Sequence, residues 1–199
     1  MSTLNIGVVG LGWLGLPLAM ALKEEGHAVW GSVRSHEKKQ NLPEFLQAIV
    51  WKIGDGLVEE MKNALKQTDL LFFNIPPSRI EKEEYLRVLS EVLNDLKWDG
   101  RVIFASSTGV YSSQKDAKED VVFSEEEEEN INLRAERKVQ ALRPKQYTIL
   151  RLAGLIGEDR NPVVHLAKKK ENHNPNTPVN LIHREDIIMV VRKLLKHPL

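Results

Sequence analysis

The chain of 199 residues contains no cysteine. That absence excludes a disulfide framework, a thiolate zinc site and a cysteine nucleophile, and it suits a reducing cytoplasm. Net charge is lacking as well, because 28 Lys and Arg residues cancel 28 Asp and Glu residues. No global field therefore draws the protein to nucleic acid or to an anionic membrane, and the expected partners are small molecules or other proteins, a second copy included. Long apolar runs are missing too. None approaches the roughly 18 residues needed to span a bilayer. The N-terminal apolar stretch has no basic segment before it and carries Gly7, Gly10, Gly12 and Gly15, which fits a buried strand and tight turn better than a signal peptide. No internal repeat and no metal site is expected.

What is present is alternation. Short β-branched or aromatic runs at 5–9, 28–33, 48–52, 70–75, 101–106 and 147–152 are separated by longer helical patterns. This predicts an α/β fold, a Rossmann-type doubly wound parallel sheet with helices on both faces. The helix over 14–25 places Leu14, Leu18, Ala21 and Leu22 on one face, with Gly26 as a stop. Over 81–96, Tyr85, Leu86, Leu89, Val92, Leu93 and Leu96 recur at helical spacing and read as core. The polar stretch 112–130, with its acidic run 125–129, reads as a solvated loop or a helix N-terminus. After Leu152 the texture turns to Gly, Asn and Pro, with a loop at 172–178 and a last helix at 184–196. Residues 1–152 form the expected Rossmann domain, and 153–199 a small region packed on it.

The turn Gly10-Leu11-Gly12-Trp13-Leu14-Gly15 matches G-x-G-x-x-G between a strand and a helix, the context that dinucleotide binding requires. Gly10 permits the sharp turn, Gly12 lets backbone approach a pyrophosphate, and Gly15 lets helix pack on strand. Free amides of the helix N-terminus, with Trp13 and Leu14 inside the turn, then face the phosphates. At the end of the second strand, Trp30-Gly31-Ser32-Val33-Arg34-Ser35 offers no carboxylate to a ribose hydroxyl. Arg34 can pair with a 2′-phosphate, and Ser32 or Ser35 can add a hydroxyl, so NADP is favoured over NAD. Arg34 also reads as an ordinary surface residue at a helix start. Asp55, in Ile53-Gly54-Asp55-Gly56, reads as an adenine contact or as an ordinary turn.

Taken together these residues resemble the extended short-chain dehydrogenase/reductase superfamily, the sugar-nucleotide epimerase and dehydratase group, and within it an atypical, YeeZ-like subgroup. The supports are the glycine turn, the fourth strand followed by Pro76 and Pro77, the stretch Ser106-Ser107-Thr108-Gly109-Val110-Tyr111, the stretch from Leu150 to Gly157, and Asn180 to Asp186. The resemblance implies that Ile75 and Pro76 border the cofactor and that Ser107 polarises a substrate carbonyl or hydroxyl. It also implies a Tyr and a Lys one turn apart ahead of an Ala-Glu pair, the Lys lowering the Tyr pKa. Here Glu128 and Asn132 fall on those positions before Ala135-Glu136, so the usual proton relay is missing. Tyr111 and Lys115 share the Y-x-x-x-K spacing but lie in the loop after the serine. Ser107 and Tyr111 are the catalytic candidates, Tyr111 also reading as a wall of the nicotinamide or substrate cleft. Arg160 could meet a phosphate or carboxylate or be a loop cation, and His183 reads as structural or catalytic.

Relatives in this superfamily continue past the helix that ends near Lys196, which implies a short member or a truncated product with an incomplete substrate lobe. The expected function is that of an NADP-dependent oxidoreductase, epimerase or dehydratase acting on a small polar or nucleotide-linked molecule. A non-catalytic NADP-binding module that reports redox state is the alternative, and a structural protein that has lost its ligand is a third.

Overall fold

The computed structural model describes residues 3–111, 117–143, 146–167 and 179–197. The chain forms two compact units, Met1–Arg151 and Leu152–Leu199. In the first, strands and helices alternate: β1 (Asn5–Val9), α1 (Gly15–Glu24), β2 (Ala28–Val33), α2 (His36–Gln40), β3 (Gln47–Val50), α3 (Glu59–Lys66), β4 (Leu70–Phe73), α4 (Lys82–Asp95), β5 (Arg101–Ser107), α5 (Ile131–Leu142) and β6 (Tyr147–Leu152). The strands lie in the order β3-β2-β1-β4-β5-β6, with β1 parallel to β2 and β4, β2 to β3, and β4 to β5. This is the doubly wound class expected from the alternation. The winding direction reverses between β1 and β4, and in such sheets a ligand crevice opens there beyond the carboxyl ends of the strands.

The strand residues are apolar because helices flank the sheet: all four residues of β4 are buried. Phe73 stacks on Phe104 at 5.8 Å between ring centroids and meets Tyr85 edge-on at 6.3 Å. Trp30 is buried with its indole nitrogen donating to Thr68 Oγ1 at 2.9 Å. On α4 the expected core face forms, with Tyr85, Leu86, Leu89, Val92 and Leu93 buried. β4 is shorter than the apolar run suggests. Asn74 still donates its amide to Val9 O at 2.9 Å, but the chain then leaves the sheet ahead of Pro76, which has no N–H to give a ladder.

Helix ends are closed by side chains. Glu81 caps α4 by accepting from the amides of Glu83 and Glu84 at 2.8 and 3.3 Å. At the other end of α4, Arg143 is buried, and its guanidinium donates to the carbonyls of Leu93, Leu96, Lys97 and Trp98. A cation there satisfies the carbonyls that a helix C-terminus leaves unpaired. Within the polar stretch, Glu127–Glu129 form one 3-10 turn, with Ser124 and Glu127 each accepting from the other's amide.

The second unit holds two short parallel strands, β7 (Gly154–Ile156) and β8 (Leu181–His183), with α6 (Pro162–Ala167) and α7 (Arg184–Lys196). His183 caps α7, its Nδ1 accepting from Glu185 N at 3.3 Å, which is a structural task for that imidazole. The expected loop at 172–178 and Lys115 lie outside the described residues. Among the described residues, no helix is long and apolar enough to cross a membrane, and no group of three or more His, Asp or Glu could hold a metal.

Candidate functional site

The three glycines of the first turn meet three different steric demands. Gly10 has a φ of +102°, a backbone region that side chains strongly disfavour. A Cβ on Gly15 would lie 2.1 Å from Gly10 O, so α1 can approach the turn only without a side chain there. A Cβ on Gly12 would meet nothing within 4 Å. The backbone is thus packed below and open above. Ser32 secures the turn, its hydroxyl accepting from Gly10 N at 3.0 Å and its carbonyl from Leu11 N at 2.8 Å. No side chain caps the N-terminus of α1, which starts with Leu14 and Gly15 buried. Its first amides are the kind of donors that accept an anion. Trp13 is half-buried beside them.

Over the carboxyl ends of β1, β2, β3 and β4 lies a cavity of about 260 Å³. Of the residues singled out from sequence, it brings together Gly10, Gly12, Ser32, Arg34, Ile75 and Pro76. Trp51, Ile53 and Ile80 give it an apolar wall, and Lys38, Lys52 and Arg79 join Arg34 as cations. None of its described lining residues is acidic. Ser35 is not in the lining: its hydroxyl caps α2, accepting from Lys38 N at 3.3 Å, and so aims the start of that helix. Asp55 is exposed and also outside the lining, and its carbonyl accepts from Trp51 Nε1 at 3.3 Å.

Ser107 ends β5, half-buried, with its Oγ accepting from Gly109 N at 3.0 Å. Asn130 ties this loop to α5: its Nδ2 donates to Gly109 O at 3.1 Å while its Oδ1 caps the helix by accepting from Asn132 N at 2.9 Å. Tyr111 follows, its ring stacked on Phe123 at 6.0 Å. The phenol oxygen accepts from Arg151 Nη1, and the guanidinium carbon lies 4.9 Å from the Tyr111 ring centroid. Arg151 is held in turn by Glu136, to which Nη2 donates at 2.8 Å and Nε at 3.2 Å. Glu136 is only 1% exposed and also accepts from Ser106 Oγ. Glu136, then Tyr111, keeps the Arg151 guanidinium firmly protonated against the cost of burial. Because Tyr111 accepts from Arg151, its own proton is left to donate elsewhere.

Sequence spacing offers Lys115 as the partner of Tyr111; among the described residues that partner is Arg151. Glu128, on the position to which the resemblance assigns the tyrosine, pairs with Arg137 at 2.8 Å. Glu136 and Arg151 both stand in stretches that carry the resemblance, yet nothing in the letters marks them as partners of each other or of Tyr111. They meet because β6 and α5 are brought side by side.

Residues 10–198 match the model of a family described as NAD(P)H-binding. The chain is 30% identical to protein YeeZ of Escherichia coli strain K12 over 203 residues, which span 98% of this chain and 74% of YeeZ. Among solved structures it is similar to the Bordetella bronchiseptica enzyme WbmH in complex with NAD+, with a TM-score of 0.77 at 16% identity, over 98% of this chain and 73% of WbmH. It is also similar to a short-chain dehydrogenase/reductase superfamily protein from Agrobacterium tumefaciens with bound NAD, with a TM-score of 0.69 at 16% identity, over 97% of this chain and 74% of that one. At those identities the two structures speak for the fold alone.

Proposed function

Because this chain belongs to the NAD(P)H-binding family, in the extended short-chain dehydrogenase/reductase superfamily of epimerases and dehydratases, we propose that it binds NADP(H) on its first β-turn-α element and serves an oxidoreductase, epimerase or dehydratase reaction. The observation that carries the reading is the open space above Gly12, next to an uncapped helix N-terminus. Gly10, Gly12 and the amides leading through Trp13 and Leu14 to Gly15 would hold the pyrophosphate. The apolar wall of Trp51, Ile53 and Ile80 suits an adenine ring, with Ile75 and Pro76 on its β4 side. Arg34, which has no carboxylate beside it in the lining, supports preference for the 2′-phosphorylated cofactor. Bound there, the nicotinamide supplies hydride transfer.

In this reading the chain's own residues bind and orient. Ser107 stands at the end of β5 to direct a substrate oxygen, and Tyr111, fixed by Arg151 and Glu136, presents a phenol proton to it. The substrate class we assign is a small polar or nucleotide-linked alcohol or carbonyl compound. One observation favours a second reading, a non-catalytic NADP-binding module: Glu128 and Asn132 replace the usual tyrosine and lysine, and Glu128 is engaged by Arg137.

Two measurements test these readings. Calorimetric titration should show NADPH binding more tightly than NADH, and Arg34→Ala should reduce that preference about tenfold; equal affinities, or a preference that survives the substitution, overturn the NADP assignment. Reduction of NADP followed by nicotinamide absorbance, against a panel of sugar nucleotides and small alcohols, separates enzyme from module. Turnover abolished by Ser107→Ala ends the module reading, and the lack of turnover across the panel supports it.

A further inference from the structure

Four cations from three separate parts of the chain line the cavity: Arg34 after β2 and Lys38 in α2, Lys52 after β3, and Arg79 in the 3-10 turn after β4. All four are exposed, and among the described residues none of their side chains makes an ion pair. Elsewhere the fold pairs its cations freely, as with Lys62, Arg87, Lys97, Arg134, Arg137 and Arg151. In a chain whose total charge is zero, four uncompensated positive charges around one small cavity are a local excess. Like charges that line one cavity disfavour one another less when an anion lies between them, since the Debye length is about 8–10 Å at physiological salt.

The far wall of the cavity is made where two loops meet. A Cβ on Gly54, after β3, would lie 3.8 Å from Cγ2 of Ile80, after β4. Lys52 and Arg79 stand two residues and one residue from that contact, on either loop, and both line the cavity. A phosphate monoester carries nearly two negative charges at neutral pH, more than one guanidinium neutralises.

Resting on the proposed function, we propose that Lys52 and Arg79 are specificity residues for the ribose 2′-phosphate of the cofactor, closing around it from the β3 and β4 loops while Arg34 and Lys38 hold it from the β2 side. An unphosphorylated ribose would leave all four charges facing one another. Discrimination against NAD then comes from repulsion left unrelieved as much as from hydrogen bonds donated to the phosphate.

The test is calorimetric titration of the full chain with NADPH and with NADH, comparing wild type with Lys52→Gln, Arg79→Gln, the double variant and Arg79→Lys. The expected result is a ratio of NADH to NADPH Kd that falls about tenfold for each single variant and further for the double, and is largely kept by Arg79→Lys. The dependence of NADPH affinity on salt should flatten in the same order. Since both residues are exposed and unpaired, thermal unfolding should report an intact fold. A ratio unaffected by Lys52→Gln and Arg79→Gln, in a protein where Arg34→Ala removes it, overturns this inference and leaves the proposed function standing. A wild-type chain that binds neither nucleotide overturns both.

Discussion

The hydroxyl of Tyr85 donates to the main-chain oxygen of Ile75 at 2.8 Å, tying the buried face of α4 to the residue where the chain has just left β4. Burial pushes the Tyr85 phenol well above its ordinary range, so it remains a donor wherever the fold survives. Tyr85→Phe keeps the ring and removes the donor. It should cost about 1–2 kcal/mol in urea unfolding and weaken NADPH binding severalfold by calorimetry, because the Ile75 and Pro76 wall loses its anchor. Unchanged NADPH affinity would show that the anchor serves stability alone.

Gly12 and Gly15 should separate binding from folding. Gly15→Ala drives a methyl into Gly10 O and should destabilise the chain by about 3 kcal/mol or more. Gly12→Ala places the methyl in open space and should stay within about 0.5 kcal/mol of wild type, while nucleotide binding is lost. Thermal unfolding beside a nucleotide titration reads both. A Gly12→Ala chain that binds NADPH like wild type would contradict the assignment of that space to the pyrophosphate.

The Glu136–Arg151 pair should behave as a buried ion pair whose halves depend on each other. Glu136→Ala strands a largely buried guanidinium and should cost about 3–5 kcal/mol, whereas Glu136→Leu with Arg151→Met should recover much of that loss. A double-mutant cycle by chemical denaturation measures the coupling. Losses that simply add would mean that the two residues do not act as a pair.

Asp69 predicts part of the acid limb of stability. Its carboxylate accepts from Asn5 N at 2.9 Å and from Lys97 Nζ at 2.9 Å, and these, the amide first, hold the carboxyl below the usual aspartate range. The folded chain therefore binds the proton less readily than the unfolded chain. The stabilisation is fully present above the unfolded pKa and is lost as pH falls through the lower, folded one. Asp69→Asn should lower stability by about 1 kcal/mol at neutral pH, screening included, and flatten the loss on acidification. Parallel acid-unfolding curves for the two proteins would refute this.

The sheet was legible because each crossover unit writes its own signal: a β-branched run, then apolar residues at helical spacing. The glycine turn was legible for the same reason, since Gly10 to Gly15, their strand and their helix are contiguous. Arg34 could be found because it directly follows β2. Lys38, Lys52 and Arg79 could not, because only the strand order carries their segments to one cavity. Asp55, an acidic residue after a strand, lies exposed beside the positive-φ turn at Gly54 and outside the cavity lining. Spacing pairs Tyr111 with Lys115, which lies outside the described residues; among the described residues Arg151, 40 residues on, donates to the Tyr111 hydroxyl. Side-chain partnership across elements leaves no periodic trace in the letters.

Arg143 is held without any carboxylate, by carbonyl dipoles that no proton can neutralise, although burial pushes its pKa down and leaves its Nε without a partner. Lys97 joins two linkages here: its carbonyl accepts from Arg143 and its ammonium donates to Asp69, so only the second is lost when Asp69 takes up a proton. On slow acidification amide exchange should therefore show the Asn5 and Lys97 amides opening before those within α4.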